Sequence, residues 1–223
     1  HPDALQGHFV LASVHRAFGD QASALAEANK AVKAAPKSAE ARILVGDIHR
    51  AARDYAAAMN SYQDALRVQP GSLPAKAAVA NLLQTTGKRE EAAARYRAIL
   101  EQNGSYVPAL NNLAYPCAEG YGKKEEALRL AAAAFRLEPG NASVIDTVGY
   151  ALYRNGRGVD AVRVLERAVA RMPGDPTVRY HLGLAYQQAG DRGRAQKALQ
   201  ESVAMGEYPD KKAAQALLAQ LRK

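Results

Sequence analysis

A single spacing, 34 residues, constrains this chain more than any other feature. Pro36 and Pro70 stand 34 residues apart, and so do Pro139 and Pro173. Each closes a similar run, such as Lys30-Ala31-Val32-Lys33-Ala34-Ala35-Pro36 and Asp64-Ala65-Leu66-Arg67-Val68-Gln69-Pro70. Such a run reads as the last turn of an amphipathic helix, stopped where proline removes a donor and clashes with the preceding turn. A second series keeps step with it. Ala12, Gly46, Ala80, Ala114, Gly149 and Gly183 recur at intervals of 34, 34, 34, 35 and 34, each behind a bulky residue: Leu11, Val45, Val79, Leu113, Val148, Leu182. Small residues in that register let two helix axes approach, and Ala24, Ala58, Ala92, Ala127, Ala161 and Ala195 supply the matching small positions on a second helix.

Gly19-Asp20, Gly87-Lys88, Gly156-Arg157 and Gly190-Asp191 fall between the two helices of a unit, where glycine supplies a left-handed helix stop. The second unit has Arg53-Asp54 there instead. The period therefore predicts six helix pairs, at 5–38, 39–72, 73–106, 107–141, 142–175 and 176–209, with one extra residue in the fourth, around Glu119–Lys124. A last amphipathic helix, 210–222, is expected to turn Ala213, Ala216, Leu217 and Leu221 onto the final pair. Each pair packs on its neighbours, so the expected fold is all-α, a right-handed α-solenoid forming a single array over 1–223. Composition agrees: alanine dominates, there is no Trp, and no stretch alternates Val, Ile or Thr with polar residues.

These residues resemble the tetratricopeptide repeat family over nearly the whole chain. Residues 107–222 more narrowly resemble bacterial tetratricopeptide proteins, including lipoproteins of exopolysaccharide and PEP-CTERM/exosortase systems. The runs that carry this are Asn111-Asn112-Leu113-Ala114-Tyr115, Asp146-Thr147-Val148-Gly149-Tyr150-Ala151-Leu152-Tyr153-Arg154 and Tyr180-His181-Leu182-Gly183. The resemblance implies a non-enzymatic scaffold that takes a peptide or helix in a groove lined by the first helices. It also implies a bacterial periplasm or envelope setting, with a role in protein assembly, sorting or polysaccharide export.

Laying the family register on the chain puts Asn81, Asn111 and Asn112 in a polar zone of that groove and Tyr115, Tyr150, Tyr153, Tyr180 and His181 in an aromatic one, with Asp146 and Arg154 beside it. Amides offer a donor and an acceptor to an extended backbone, and tyrosine offers apolar area with a polar tip. The tyrosines equally suit packing between repeats. Asn81 and Asn112 match the asparagine positions of the family's carboxylate clamp, but Ala77, Ser143 and Thr147 stand where it needs cations, so the clamp is absent.

Other chemistry finds little support. The net charge of +8 comes from scattered Lys and Arg interleaved with Asp and Glu, which disfavours a nucleic-acid partner; a helical repeat that binds nucleic acid or another anionic polymer is the alternative reading, and it rests on charge alone. A regulatory arm of a larger enzyme is a further alternative. Gly156-Arg157-Gly158-Val159-Asp160-Ala161 imitates a dinucleotide fingerprint but joins two helices with no strand before it. Among His1, His8, His15, His49 and His181, the His8/His15 spacing suggests no metal site, and His15 and His49 share one repeat position at the edge of the core. No cofactor motif is present. Cys117, the single cysteine, reads as a buried thiol. No apolar run reaches the roughly 20 residues needed to span a bilayer. The chain opens on His1, which points to a processed product or a piece whose leader or lipid anchor lies upstream. A polar N-terminal repeat end is expected, able to pair with a second copy.

Overall fold

The structure, a computed structural model, describes residues 2–222. His1 and Lys223, the ends of the expected array, lie outside them. Among the described residues there are thirteen α-helices and no strand. They are α1 (Pro2–Ala17), α2 (Gln21–Ala34), α3 (Ala39–Ala51), α4 (Tyr55–Val68), α5 (Leu73–Thr85), α6 (Arg89–Gln102), α7 (Val107–Pro116), α8 (Lys124–Leu137), α9 (Ala142–Arg154), α10 (Gly158–Arg171), α11 (Pro176–Gln188), α12 (Arg192–Ala204) and α13 (Lys211–Leu221). A π-helical turn, Cys117–Tyr121, separates α7 from α8. The chain forms two compact units, His1–Gln102 with α1–α6 and Asn103–Lys223 with α7–α13. Inside each unit consecutive helices pack together, and in the second unit α9 also touches both α7 and α11.

Local chemistry sets the helix ends. Side-chain oxygens of Asp20, Ser38, Asp54, Ser72, Asn141, Asp175 and Asp191 accept hydrogen bonds from free N–H groups of the first turn that follows, at 2.8–3.3 Å. Each such cap stabilises its helix by about 1 kcal/mol. Within the pairs, α1, α5, α9 and α11 end on Gly19, Gly87, Gly156 and Gly190, all at positive φ, and the next N–H returns to the carbonyl five residues back at 2.9–3.0 Å. Arg53 holds the same conformation without being glycine: its φ is 61°, and Asp54 N–H reaches the His49 carbonyl at 2.9 Å. That strain is about 1–2 kcal/mol. In the fourth pair the extra residue is taken up by the π-helical turn, with Gly120 at φ 106°.

The small-residue register is a set of contacts between paired helices. A Cβ on Gly46 would lie 2.4 Å from Tyr62, one on Gly149 2.4 Å from Leu165, and one on Gly183 2.8 Å from Leu199. Glycine on the first helix thus makes room for a large side chain on the second. Ala24, Ala58, Ala92, Ala127, Ala161 and Ala195 are all fully buried. Tyr62 and Tyr96 are also fully buried, and their hydroxyls donate to Asp47 (2.8 Å) and Asn81 (2.5 Å) on the facing helices. Cys117 is a buried thiol. His15 and His49 each face the aspartate that caps the following helix, Asp20 at 3.3 Å and Asp54 at 3.9 Å.

Two expectations need correction. On α13 the buried residues are Ala214 and Leu218, with Leu217 and Leu221 packed beside them, while Ala213 and Ala216 are exposed. The packed stripe runs i, i+3, i+4, i+7 from Ala214, one residue on from the predicted phase. The N-terminal end is apolar rather than polar, because α1 exposes Val10 (61%), Leu11 and Val14, and Phe18 (84%) in the turn that follows is exposed too. In the next pair the corresponding α3 residues Leu44 and Ile48 are buried against Ala24 and Ala28 of α2; α1 has no such neighbour among the described residues.

Candidate functional site

The second unit gathers its aromatic residues from three first helices. Tyr115 comes from the end of α7, Tyr150 and Tyr153 from the last turns of α9, and Tyr180 and His181 from the first half of α11. The Tyr115 ring stacks on Tyr150 with centroids 5.0 Å apart and planes 19° from parallel. Tyr150 stacks on His181 at 4.3 Å and 27°. Tyr153 lies 6.0 Å from Tyr150, and Tyr180 lies 6.0 Å from His181 and 6.5 Å from Tyr208. Offset and tilted rings at these distances attract beyond their buried area, by about 0.5–1.5 kcal/mol per pair.

Polar side chains fix the ladder. His181 Nδ1 is 2.9 Å from Asp146 Oδ1 and 3.1 Å from Oδ2. A carboxylate only accepts, so Nδ1 carries the proton and donates. His181 Nε2 is buried with no hydrogen-bond partner among the described residues. The Tyr150 hydroxyl donates to Glu119, and Arg154 Nη1 donates both to Glu119 Oε1 (2.6 Å) and to the Tyr150 oxygen (3.1 Å). Burial, then Glu119, raises the Tyr150 phenol well above its ordinary range. Burial also raises Tyr153. Tyr180 is pushed up to about 12 by burial, with Asp210 the next cause.

The predicted residues therefore divide. Tyr150 (5% exposed) and His181 (1%) are buried and form the spine of the ladder, not a groove surface. The reason is lateral: each is covered by the rings of the adjacent first helices. Asn111, Asn112, Tyr115, Asp146, Tyr153, Arg154 and Tyr180 are half-buried and flank that spine. Asn111 donates to Asn112 Oδ1 at 3.2 Å, and its own Oδ1 is buried without a hydrogen-bond partner among the described residues. Asn81 lies in the first unit, where it accepts from Tyr96. Glu119, Tyr208 and Asp210 were not anticipated. The extra residue of the fourth repeat was the signal for Glu119, since that residue creates the π-helical turn from which it reaches Tyr150 and Arg154.

Successive helix pairs whose first helices line up side by side define a class of repeat protein. A tetratricopeptide repeat family profile matches residues 152–221, and a second of the same description matches 1–39 and 9–74. The chain belongs to the tetratricopeptide repeat family and has its all-α solenoid fold. It is 34% identical, over 87 residues, to a TPR repeat-containing protein of Pseudomonas aeruginosa; the match covers 39% of this chain and 15% of that protein. The chain thus aligns with only a small part of the curated relative's length. Among solved structures, a tetratricopeptide repeat protein from Parabacteroides merdae is similar at TM-score 0.63 and 15% identity, covering 99% of this chain and 100% of that one. TTC0263 of Thermus thermophilus is similar at TM-score 0.65 and 19% identity, covering 83% and 99%. YrrB, described as a TPR protein with an unusual peptide-binding site, is similar at TM-score 0.56 and 17% identity, covering 85% and 96%. These structures share the fold; membership of the tetratricopeptide repeat family makes the chain a protein-interaction scaffold in general terms. Among the described residues no helix is long and apolar enough to cross a membrane.

Proposed function

We propose that this chain is a non-catalytic scaffold whose second unit binds a peptide or helix of another protein across the face formed by Asn111, Asn112, Tyr115, Tyr153, Arg154 and Tyr180. In this reading residues 1–223 work as one array of six pairs with a terminal helix. The observation that carries it is the buried spine of Tyr150 stacked on His181, beside which the half-buried Tyr115, Tyr153 and Tyr180 rings are held. Rings held in place lose little entropy on binding, and tyrosine is among the residue types that carry interface energy. Asp146 belongs beneath the face, because it holds His181. The resemblance of residues 107–222 to bacterial envelope tetratricopeptide proteins supports a role in envelope protein assembly, sorting or polysaccharide export, and the Pseudomonas aeruginosa relative supports only a bacterial setting.

The test is to select peptides on the wild-type chain from a displayed library and measure their affinity for Tyr153→Ala/Tyr180→Ala. Both residues are only partly buried, so helicity by circular dichroism stays intact. Affinity is expected to fall by about tenfold or more, as for the loss of an interface hot spot. Undiminished binding by every selected peptide would remove this face from the assignment.

A further inference from the structure

A second surface of the same unit has a different chemistry. An open cleft of about 640 Å³ lies among the first half of α10, the end of α11 and the start of α12. It shares no residue with the tyrosine face. Val159, Val162 and Ala189 give it apolar walls, and Val159 is 58% exposed there.

The charges around the cleft are unequally committed. Tyr186 donates to Glu166 Oε1 at 2.7 Å. Arg194 lies over the Tyr186 ring at 4.7 Å, donates from Nε to Asp191 at 2.5 Å, and approaches Glu166 at 3.6 Å. Both lining carboxylates are thus already engaged by Arg194 and Tyr186. Arg163 and Arg192 also line the cleft and are exposed, and their guanidinium groups make no hydrogen bond or ion pair among the described residues. The first turn of α12, where Arg192 sits, adds the positive end of a helix dipole.

From this charge imbalance beside exposed valine we propose that the cleft docks an acidic peptide segment. Its carboxylates would pair with Arg163 and Arg192 while an apolar side chain lies on Val159 and Val162. Guanidinium forks suit carboxylates in a bidentate geometry. Single-stranded nucleic acid fits poorly, since it needs open rings for base stacking and the one aromatic ring here, Tyr186, is buried beneath Arg194.

The experiment uses fluorescence anisotropy with a fluorescein-labelled Glu-Leu-Glu-Glu-Leu-Glu peptide, its Lys-for-Glu counterpart, and a short single-stranded DNA. Proteins are the wild type, Arg163→Glu/Arg192→Glu, and Arg129→Glu/Lys197→Glu. The last makes the same charge change on exposed residues of α8 and α12 outside the cleft. Glutamate in the first turn of α12 suits the helix dipole, so the cleft variant should fold, which circular dichroism checks. The acidic peptide should bind the wild type, with affinity about tenfold lower for the cleft variant and changed by less than about threefold for the control. Three outcomes overturn the proposal: no binding of the acidic peptide, equal losses in both variants, or tighter binding of DNA than of peptide. None of them bears on the tyrosine face, whose test uses separate residues and ligands.

Discussion

Gly149→Ala should change the sign of its effect with the residue opposite. In the native pair an added Cβ would stand 2.4 Å from Leu165 Cγ and 2.7 Å from Cδ2. Leu165 is fully buried and cannot swing into solvent. Overpacking of this kind costs about 1–3 kcal/mol. Alanine recovers about 1 kcal/mol of helix propensity over glycine. The net change in the wild type is thus a destabilisation of about 1 kcal/mol, within limits of roughly 0 to 2. Leu165→Ala alone leaves a cavity and destabilises by about 2–5 kcal/mol. In that background the clash is gone, only the propensity gain remains, and Gly149→Ala stabilises by about 1 kcal/mol. The double variant then has alanine on both helices, the arrangement of Ala12 and Ala28 in the first pair's core. The predicted coupling is about 2 kcal/mol, inside the range found for touching residues. Urea titrations of the four proteins, followed by far-ultraviolet circular dichroism, give the cycle. Repeat arrays do not always unfold in one step, so hydrogen exchange in α9 and α10 supplies a local reading. A coupling below about 0.5 kcal/mol would refute the claim that the small-residue register exists to seat a large partner.

Two further outcomes follow from the backbone and from the tyrosines. Arg53→Gly should raise stability by about 1 kcal/mol, because it relieves the left-handed strain at φ 61°; an unchanged or lower urea midpoint would show that the Arg53 side chain compensates. Tyr180 and Tyr186 are both pushed up to about 12, chiefly by burial. Their folded values lie above the unfolded value of about 10, so their contribution to stability is complete below pH 10 and is lost as the pH rises through 12. Absorbance at about 295 nm should show phenolate formation near pH 10 for all the tyrosines in urea and a delayed fraction in the native protein; coincident titrations would contradict the burial described here.

Much of the fold was legible because its causes are local or strictly periodic. Caps such as Asp20 and Asn141, and glycines such as Gly87, act within a few residues of themselves, so their chemistry can be read along the chain. The inserted residue of the fourth repeat was visible as a break in the count. The face of α13 was misplaced by one residue, since Ala213 and Ala214 are adjacent alanines and the sequence does not say which of them meets the preceding pair. The candidate site was legible as a cluster but not as a surface. Tyr150 and His181 carry the same kind of periodic label as their half-buried neighbours, and only the approach of adjacent first helices shows that they are covered.

The sequence by itself determined that helices form, where they stop and that they pair, because those outcomes follow from hydrogen bonds and side-chain volumes within one repeat. Tertiary structure alone decided which side chains are spine and which are surface. The bonds that make this decision join residues a whole repeat apart: Glu119 to Arg154, and Asp146 to His181. So do the walls of the arginine cleft, which α10 and the α11–α12 turn bring together. Contacts of that range depend on the angle and distance between neighbouring helices, which the period of a sequence does not record.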